Sequence, residues 1–310
     1  APPGGGAGAP IFLRPARSPE ATDPDAAAVI AARRDAEQAL RRIARWADRL
    51  TRFSETSDLE RLNAHPSRTV RVGPTLAAVL GAARVATLAS AGIVDATLLE
   101  ARLRAERPSD ATTEADAPCG DRGWSLAAVR RGGMVTRRPG IRLDLGGVAK
   151  GWIADRAICA LTAHPAAVVD ADGDLATALA YGERWRIAIA DPLRRGSDLA
   201  VLELTGLDPG GTQRYGLATS GTTVHRWTHD GVVAHHLIDP RTRRPALTDV
   251  IQATVLADTA ARAEAAAKTI VILGATAGAA VVDRPGIRAS ILVTDDGRLI
   301  ASPSTLRWLA

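Results

Sequence analysis

Between residues 25 and 52, Val29, Leu40, Ile43 and Trp46 share one helical face while the arginines between them point outward, which predicts an amphipathic helix. Residues 74–92 predict a second, alanine-rich helix. Period-2 alternation marks strands at 124–130 and 134–136. The clearest is 141–145, where Ile141, Leu143 and Leu145 alternate with Arg142 and Asp144. A Gly146-Gly147 break then leads into a helix expected over 148–163. Further strands are expected at 167–169, 185–190 and 200–204. A helix over 259–273 precedes closing strands at 289–294 and 299–301. Strand groups with helices set apart predict an α+β fold rather than a doubly wound sheet. No repeat of 20–50 residues suggests a solenoid.

Residues 1–10 are Gly/Pro/Ala-rich, and 1–24 read as a disordered or extended leader, with a short strand at 11–14. Residues 25–310 are expected to form a single domain, interrupted by a polar, mobile loop at 104–122. The chain starts at Ala1 without a methionine, which reads as a processed product and assigns no compartment.

Composition narrows the function. The chain has 310 residues, a formal net charge of +5 and only 3% aromatic residues, too few for platforms that stack single-stranded nucleic acid. Its arginines are scattered over many predicted helices, which argues for solvated faces rather than a nucleic-acid groove. No uninterrupted apolar run reaches the roughly 18–20 residues of a membrane span, so no integral membrane segment is expected. Cys119 and Cys159 are too few for a disulfide framework or a zinc site. Of 39 basic residues only Lys150 and Lys268 are lysines. Where arginine is the default cation, a lysine is a candidate for work that a planar guanidinium cannot do.

Four segments could carry chemistry. Residues 144–157 (DLGGVAKGWIADRA) set a carboxylate at a strand end, two glycines at a turn and a lysine in the first helical turn, an arrangement suited to an anion. The same residues also read as a tight turn with a solvated lysine. Residues 235–245 (HHLIDPRTRRP) combine two histidines, either a possible base, with arginines that can hold phosphate. They read equally as a strand end and a basic loop. Residues 217–227 (LATSGTTVHRW) offer hydroxyl and N–H donors on a small-residue turn. Glu264 and Lys268 are spaced i, i+4 on the face of Val271 and Ile272, which points the pair inward.

Seven segments, in this order, resemble the ApbE family of FAD:protein FMN transferases. They are 57–63 (SDLERLN), 95–97 (DAT), 144–151 (DLGGVAKG), 170–174 (DADGD), 218–221 (ATSG), 236–243 (HLIDPRTR) and 263–269 (AEAAAKT). The resemblance implies a two-lobed, T-fold-related α+β architecture with antiparallel sheets, outer helices and a flavin nucleotide cleft between the lobes. It implies FAD as substrate, magnesium near its pyrophosphate, and transfer of FMN to a Thr or Ser hydroxyl of an acceptor flavoprotein with release of AMP. The acceptor would carry a D-[GS]-x-[ST]-[GS]-[AS]-[ST]-like motif. An FAD diphosphatase giving FMN and AMP, or a non-catalytic FAD-binding protein, are the alternatives. By resemblance His236 is the base, and Asp95, Asp144, Lys150, Thr219, Ser220 and Ile238 line the nucleotide site. Gly147, Glu264 and Lys268 fall on the metal positions. The family pattern has aspartate and threonine where this chain has Glu264 and Lys268, and an ammonium cannot ligate magnesium. Either Lys268, tethered by Glu264, stands in for the metal, or it turns away and magnesium binds through Glu264 and neighbouring carbonyls. Two family glycines are also replaced, by Asp172 and Arg243.

Overall fold

The computed structural model describes residues 10–15, 25–106, 127–224, 226–229 and 232–310. Its first half runs β1 (Ile11–Arg14), α1 (Ala26–Leu50), α2 (Asp58–Ala64), β2 (Thr69–Arg71), α3 (Pro74–Ala89), α4 (Leu99–Glu106), β3 (Ala127–Arg130), β4 (Met134–Arg137) and α5 (Ala149–Ile158). Strands β5 (Ala166–Ala171), β6 (Asp174–Ala180), β7 (Arg184–Ala190), β8 (Asp198–Thr205) and β9 (Thr212–Gly221) follow. Then come β10 (Arg226–His229), β11 (Val232–His235), β12 (Ile238–Asp239), β13 (Arg244–Pro245), β14 (Val250–Ala257), α6 (Ala260–Gly278), β15 (Ile287–Thr294) and β16 (Leu299–Ala301). The class is α+β, as expected.

A seven-stranded sheet in the order β1-β5-β6-β9-β14-β15-β16 is antiparallel throughout. Helices α5 and α6 cover one face. The hairpin β7–β8 and Trp308 cover the other, packed on Tyr215, Leu217 and Leu256. Helices α1, α2 and α3 extend the core beyond α5, next to the small sheet β2-β4-β3.

One glycine sets how closely α6 meets the sheet. A Cβ on Gly216 of β9 would stand 2.0 Å from the backbone of Thr259 and Ala260, so only glycine lets the sheet approach the start of α6 this closely. The Asp155 carboxylate caps that helix, accepting the N–H groups of Ala260 and Ala261 at 2.8 and 3.0 Å.

Several expectations change. The segment 141–145 is in no strand. Its Leu143 backbone pairs instead with the side-chain amide of Asn63, at 2.8 and 2.9 Å, and the Asp144 N–H reaches the Ala96 carbonyl at 2.8 Å. A side chain supplies what a neighbouring strand would. The helix expected over 148–163 ends at Ile158, and the turn expected at 217–227 begins inside β9. The helix expected over 259–273 continues past a break at Gly274, whose φ is 81°. The 11–14 segment of the leader is a strand paired to β5, and residues 104–106 of the expected loop lie in α4. The rest of the leader up to residue 24, apart from 10 and 15, and the loop residues 107–122 lie outside the described residues. The stretch Ala260–Asp283 is long and apolar enough by composition to cross a membrane, but its apolar run is interrupted by Arg262, Glu264 and Lys268 and most of it is buried as a core helix.

Candidate functional site

An open cleft is walled by Val94, Asp95 and Ala96, by Asp144, Gly146, Gly147 and Val148, by His236, Leu237 and Ile238, and by Lys268 and Ile272 of α6. Of the residues singled out in the sequence, Asp95, Asp144, Gly147, His236, Ile238 and Lys268 therefore converge here.

Asp95 accepts the N–H and the hydroxyl of Thr97, each at 2.8 Å. Burial pushes its carboxyl up, against those bonds and the nearby positive charge of Arg243. Asp144 is held by the Arg102 guanidinium at 2.8 Å and by the Gly146 N–H at 2.9 Å. Arg102 lines the cleft and was missed in the sequence, because nothing in the pattern of α4 distinguishes it from the surface arginines.

The two adjacent histidines separate cleanly. His235 is buried, its Nε2 3.0 Å from the Ala246 carbonyl and its Nδ1 accepting the Leu237 N–H at 3.3 Å. Both nitrogens are thus engaged as in a neutral ring, and burial pushes its pKa down. His236 is the histidine that faces the cleft.

Behind the cleft wall lies a cluster of alternating charges. Glu264 is buried; one carboxylate oxygen accepts the Gly151 N–H at 3.0 Å and the other the Lys268 Nζ at 2.6 Å. The Lys268 Nζ also donates to the Gly146 carbonyl at 3.1 Å. Lys150 donates to the Asp172 carbonyl at 3.1 Å and stands 3.2 Å from the buried Asp174 carboxylate. Burial pushes Asp174 up to about 7, reinforced by Glu264 and opposed by Lys150 and Lys268. Burial works to lower Lys150, but Asp174, Glu264 and Asp172 outweigh it and raise its pKa.

Four predicted residues do not line the cleft: Lys150, Thr219, Ser220 and Glu264, the last of which lies buried behind Lys268. Thr219 and Ser220 are consecutive in β9, so the pleat sends them to opposite faces. Ser220 is buried on the α6 side with Ala218, and Thr219 is exposed on the other, 2.8 Å from the Thr254 hydroxyl.

A family model for the ApbE family matches residues 21–291. The chain belongs to the ApbE family. An FAD:protein FMN transferase of Rhodobacter capsulatus is 36% identical over 168 residues, covering 53% of this chain and 30% of that protein. One of Treponema pallidum is 34% identical over 176 residues, 53% of this chain and 46% of that protein. The chain thus matches less than half the length of these curated relatives. The crystal structure of the ApbE protein of Thermotoga maritima superposes with a TM-score of 0.74 at 24% identity, covering 90% of this chain and 92% of that one.

Within the ApbE pattern, the replaced glycines have a backbone explanation. Asp172 and Arg243 have φ of 58° and 57°, in the left-handed region that glycine enters without cost. Asp172-Gly173 forms the tight turn between β5 and β6, and the exposed Asp172 carboxylate stays out of the cleft. At Gly147, Glu264 and Lys268, where the resemblance implies a metal, the donor set does not fit magnesium. Of these residues Glu264 alone has a carboxylate and the Lys268 ammonium lies 2.6 Å from it, and no group of three His, Cys, Asp or Glu residues clusters among the described residues.

Proposed function

We propose that the protein transfers FMN from FAD to a Thr or Ser hydroxyl of an acceptor flavoprotein, releasing AMP. The supporting observation is the convergence of His236 with Asp95, Asp144 and the Lys268 ammonium on one cleft in an ApbE-family fold. The named activity of the curated relatives points the same way.

In this reading the acceptor oxygen attacks the phosphorus on the FMN side of the pyrophosphate, its proton passing to His236. The bond from that phosphorus to the bridging oxygen breaks, AMP departs with that oxygen, and FMN remains as a phosphoester. Asp95 and Ile238 contact the nucleotide, while Arg102 and Gly146 hold Asp144 in place. Lys150 acts through Asp174 rather than by touching the nucleotide. Magnesium, which the resemblance implies, finds no fitting donor set at Gly147, Glu264 and Lys268.

The test is incubation of the full chain with FAD and an acceptor domain carrying a D-[GS]-x-[ST]-[GS]-[AS]-[ST] motif, read by intact mass. A gain of one FMN on the acceptor is expected, reduced about 10²–10⁴-fold in rate by His236→Ala. AMP and free FMN without acceptor modification would make the protein an FAD diphosphatase. Bound FAD with no AMP formed would make it a non-catalytic flavin binder.

A further inference from the structure

Both lysines of a chain with 39 basic residues sit against one buried carboxylate pair, Lys150 on Asp174 and Lys268 on Glu264. Lys268 alone of the two reaches the cleft. Its side chain is 12% exposed and that of Glu264 is 1% exposed, so the charge is fixed rather than solvated. An ammonium has three N–H donors. Two are used, on Glu264 and on the Gly146 carbonyl, which leaves one for a ligand. Those two oxygens are also the acceptors that a hard cation at this place would need. A divalent ion sharing them would lie against a positive charge.

We propose that Lys268 is a built-in cation of the cleft, donating its third N–H to a phosphate oxygen of the nucleotide, so that nucleotide binding needs no divalent metal. The identity of the nucleotide rests on the FAD reading above; the exclusion of metal does not.

The experiment has two independent arms on the full chain. In the first, metal-free protein is titrated with Mn²⁺ and followed by electron paramagnetic resonance, without nucleotide. In the second, FAD affinity is measured by flavin fluorescence in Mg²⁺ and in EDTA. Expected are no saturable Mn²⁺ site on the wild type, one acquired by Lys268→Thr, and FAD affinities equal within about twofold in the two buffers. The neutral pair Glu264→Gln/Lys268→Met, folded by circular dichroism, should bind FAD about 10- to 100-fold more weakly in both buffers, as loss of a charged hydrogen bond predicts. One Mn²⁺ per wild-type chain, a fall in wild-type FAD affinity in EDTA, or unchanged affinity in the neutral pair would overturn the proposal. Absence of FAD binding throughout would remove the FAD reading, and the Mn²⁺ arm would still uphold or overturn the exclusion of metal.

Discussion

Gly151 and Gly81 lie inside helices α5 and α3, so intrinsic propensity alone predicts that alanine stabilises each by about 0.5–1 kcal/mol. Their surroundings differ. A Cβ on Gly81 meets nothing within 4 Å. A Cβ on Gly151 would stand 2.6 Å from Ala261 N and 2.7 Å from Ala260 C and Ala261 Cα. These are backbone atoms of the first turn of α6, pinned by Asp155, so no rotamer change relieves the clash. The two helices would have to part by about 0.8 Å to restore ordinary contact at 3.4 Å, which would also pull the Gly151 N–H from Glu264. Overpacking of this kind costs about 1–3 kcal/mol. Unfolding entropy of about 2.1 cal/mol/K per residue gives about 0.65 kcal/mol/K for 310 residues. Set against the propensity gain, a net loss of about 1.3 kcal/mol in Gly151→Ala then lowers Tm by about 2 °C, while Gly81→Ala raises it by about 1 °C. Differential scanning calorimetry of both variants beside the wild type reads the two signs. A rise in both would refute the close approach of α5 to α6 and the glycine requirement built on it.

Two further outcomes follow from the same region. Asp174 has a folded pKa of about 7 against an ordinary 3.8, so between those values the folded state binds more protons than the unfolded one. Stability contributed by this group is therefore full at low pH and declines as pH rises from about 4 to about 7. Asp174→Asn should flatten that decline in Tm measured across the window, and an unchanged slope would count against the raised pKa. Asp155→Ala removes both bonds that its carboxylate accepts from the first turn of α6, leaving the Thr259 cap, and should cost about 0.5–2 kcal/mol by urea denaturation, with Asp155→Asn recovering part of it. Equal losses in the two variants would mean that the cap does not act through those bonds.

Long helices and the motif order were legible in the sequence. The 3.6-residue stripe of α1 marked its helix, although Val29 of that stripe is exposed, the alanine content marked α3, and the ordered segments from 57 to 269 pointed to the ApbE family. The central strands were not. Strand β6 (DLATALA) and β14 (VIQATVLA) are covered on both faces, which erases the period-2 alternation a half-exposed strand would show. Conversely, 141–145 alternated well and is no strand, because its partner is the Asn63 amide, 80 residues away in the chain. Residue types at the site were readable, but their directions were not. The sequence marked His235 and His236 alike, and only the Ala246 carbonyl and the Leu237 N–H, brought round by β12 and β13, commit one ring to the core and leave the other to the cleft. It marked Thr219 and Ser220 together, and the pleat of β9 divides them. The substitution at 268 was visible as a lysine in a chain of arginines. That its ammonium meets Glu264 and the Gly146 carbonyl depends on α6 packing against the turn after Leu145, a contact between segments more than 100 residues apart that no local pattern encodes.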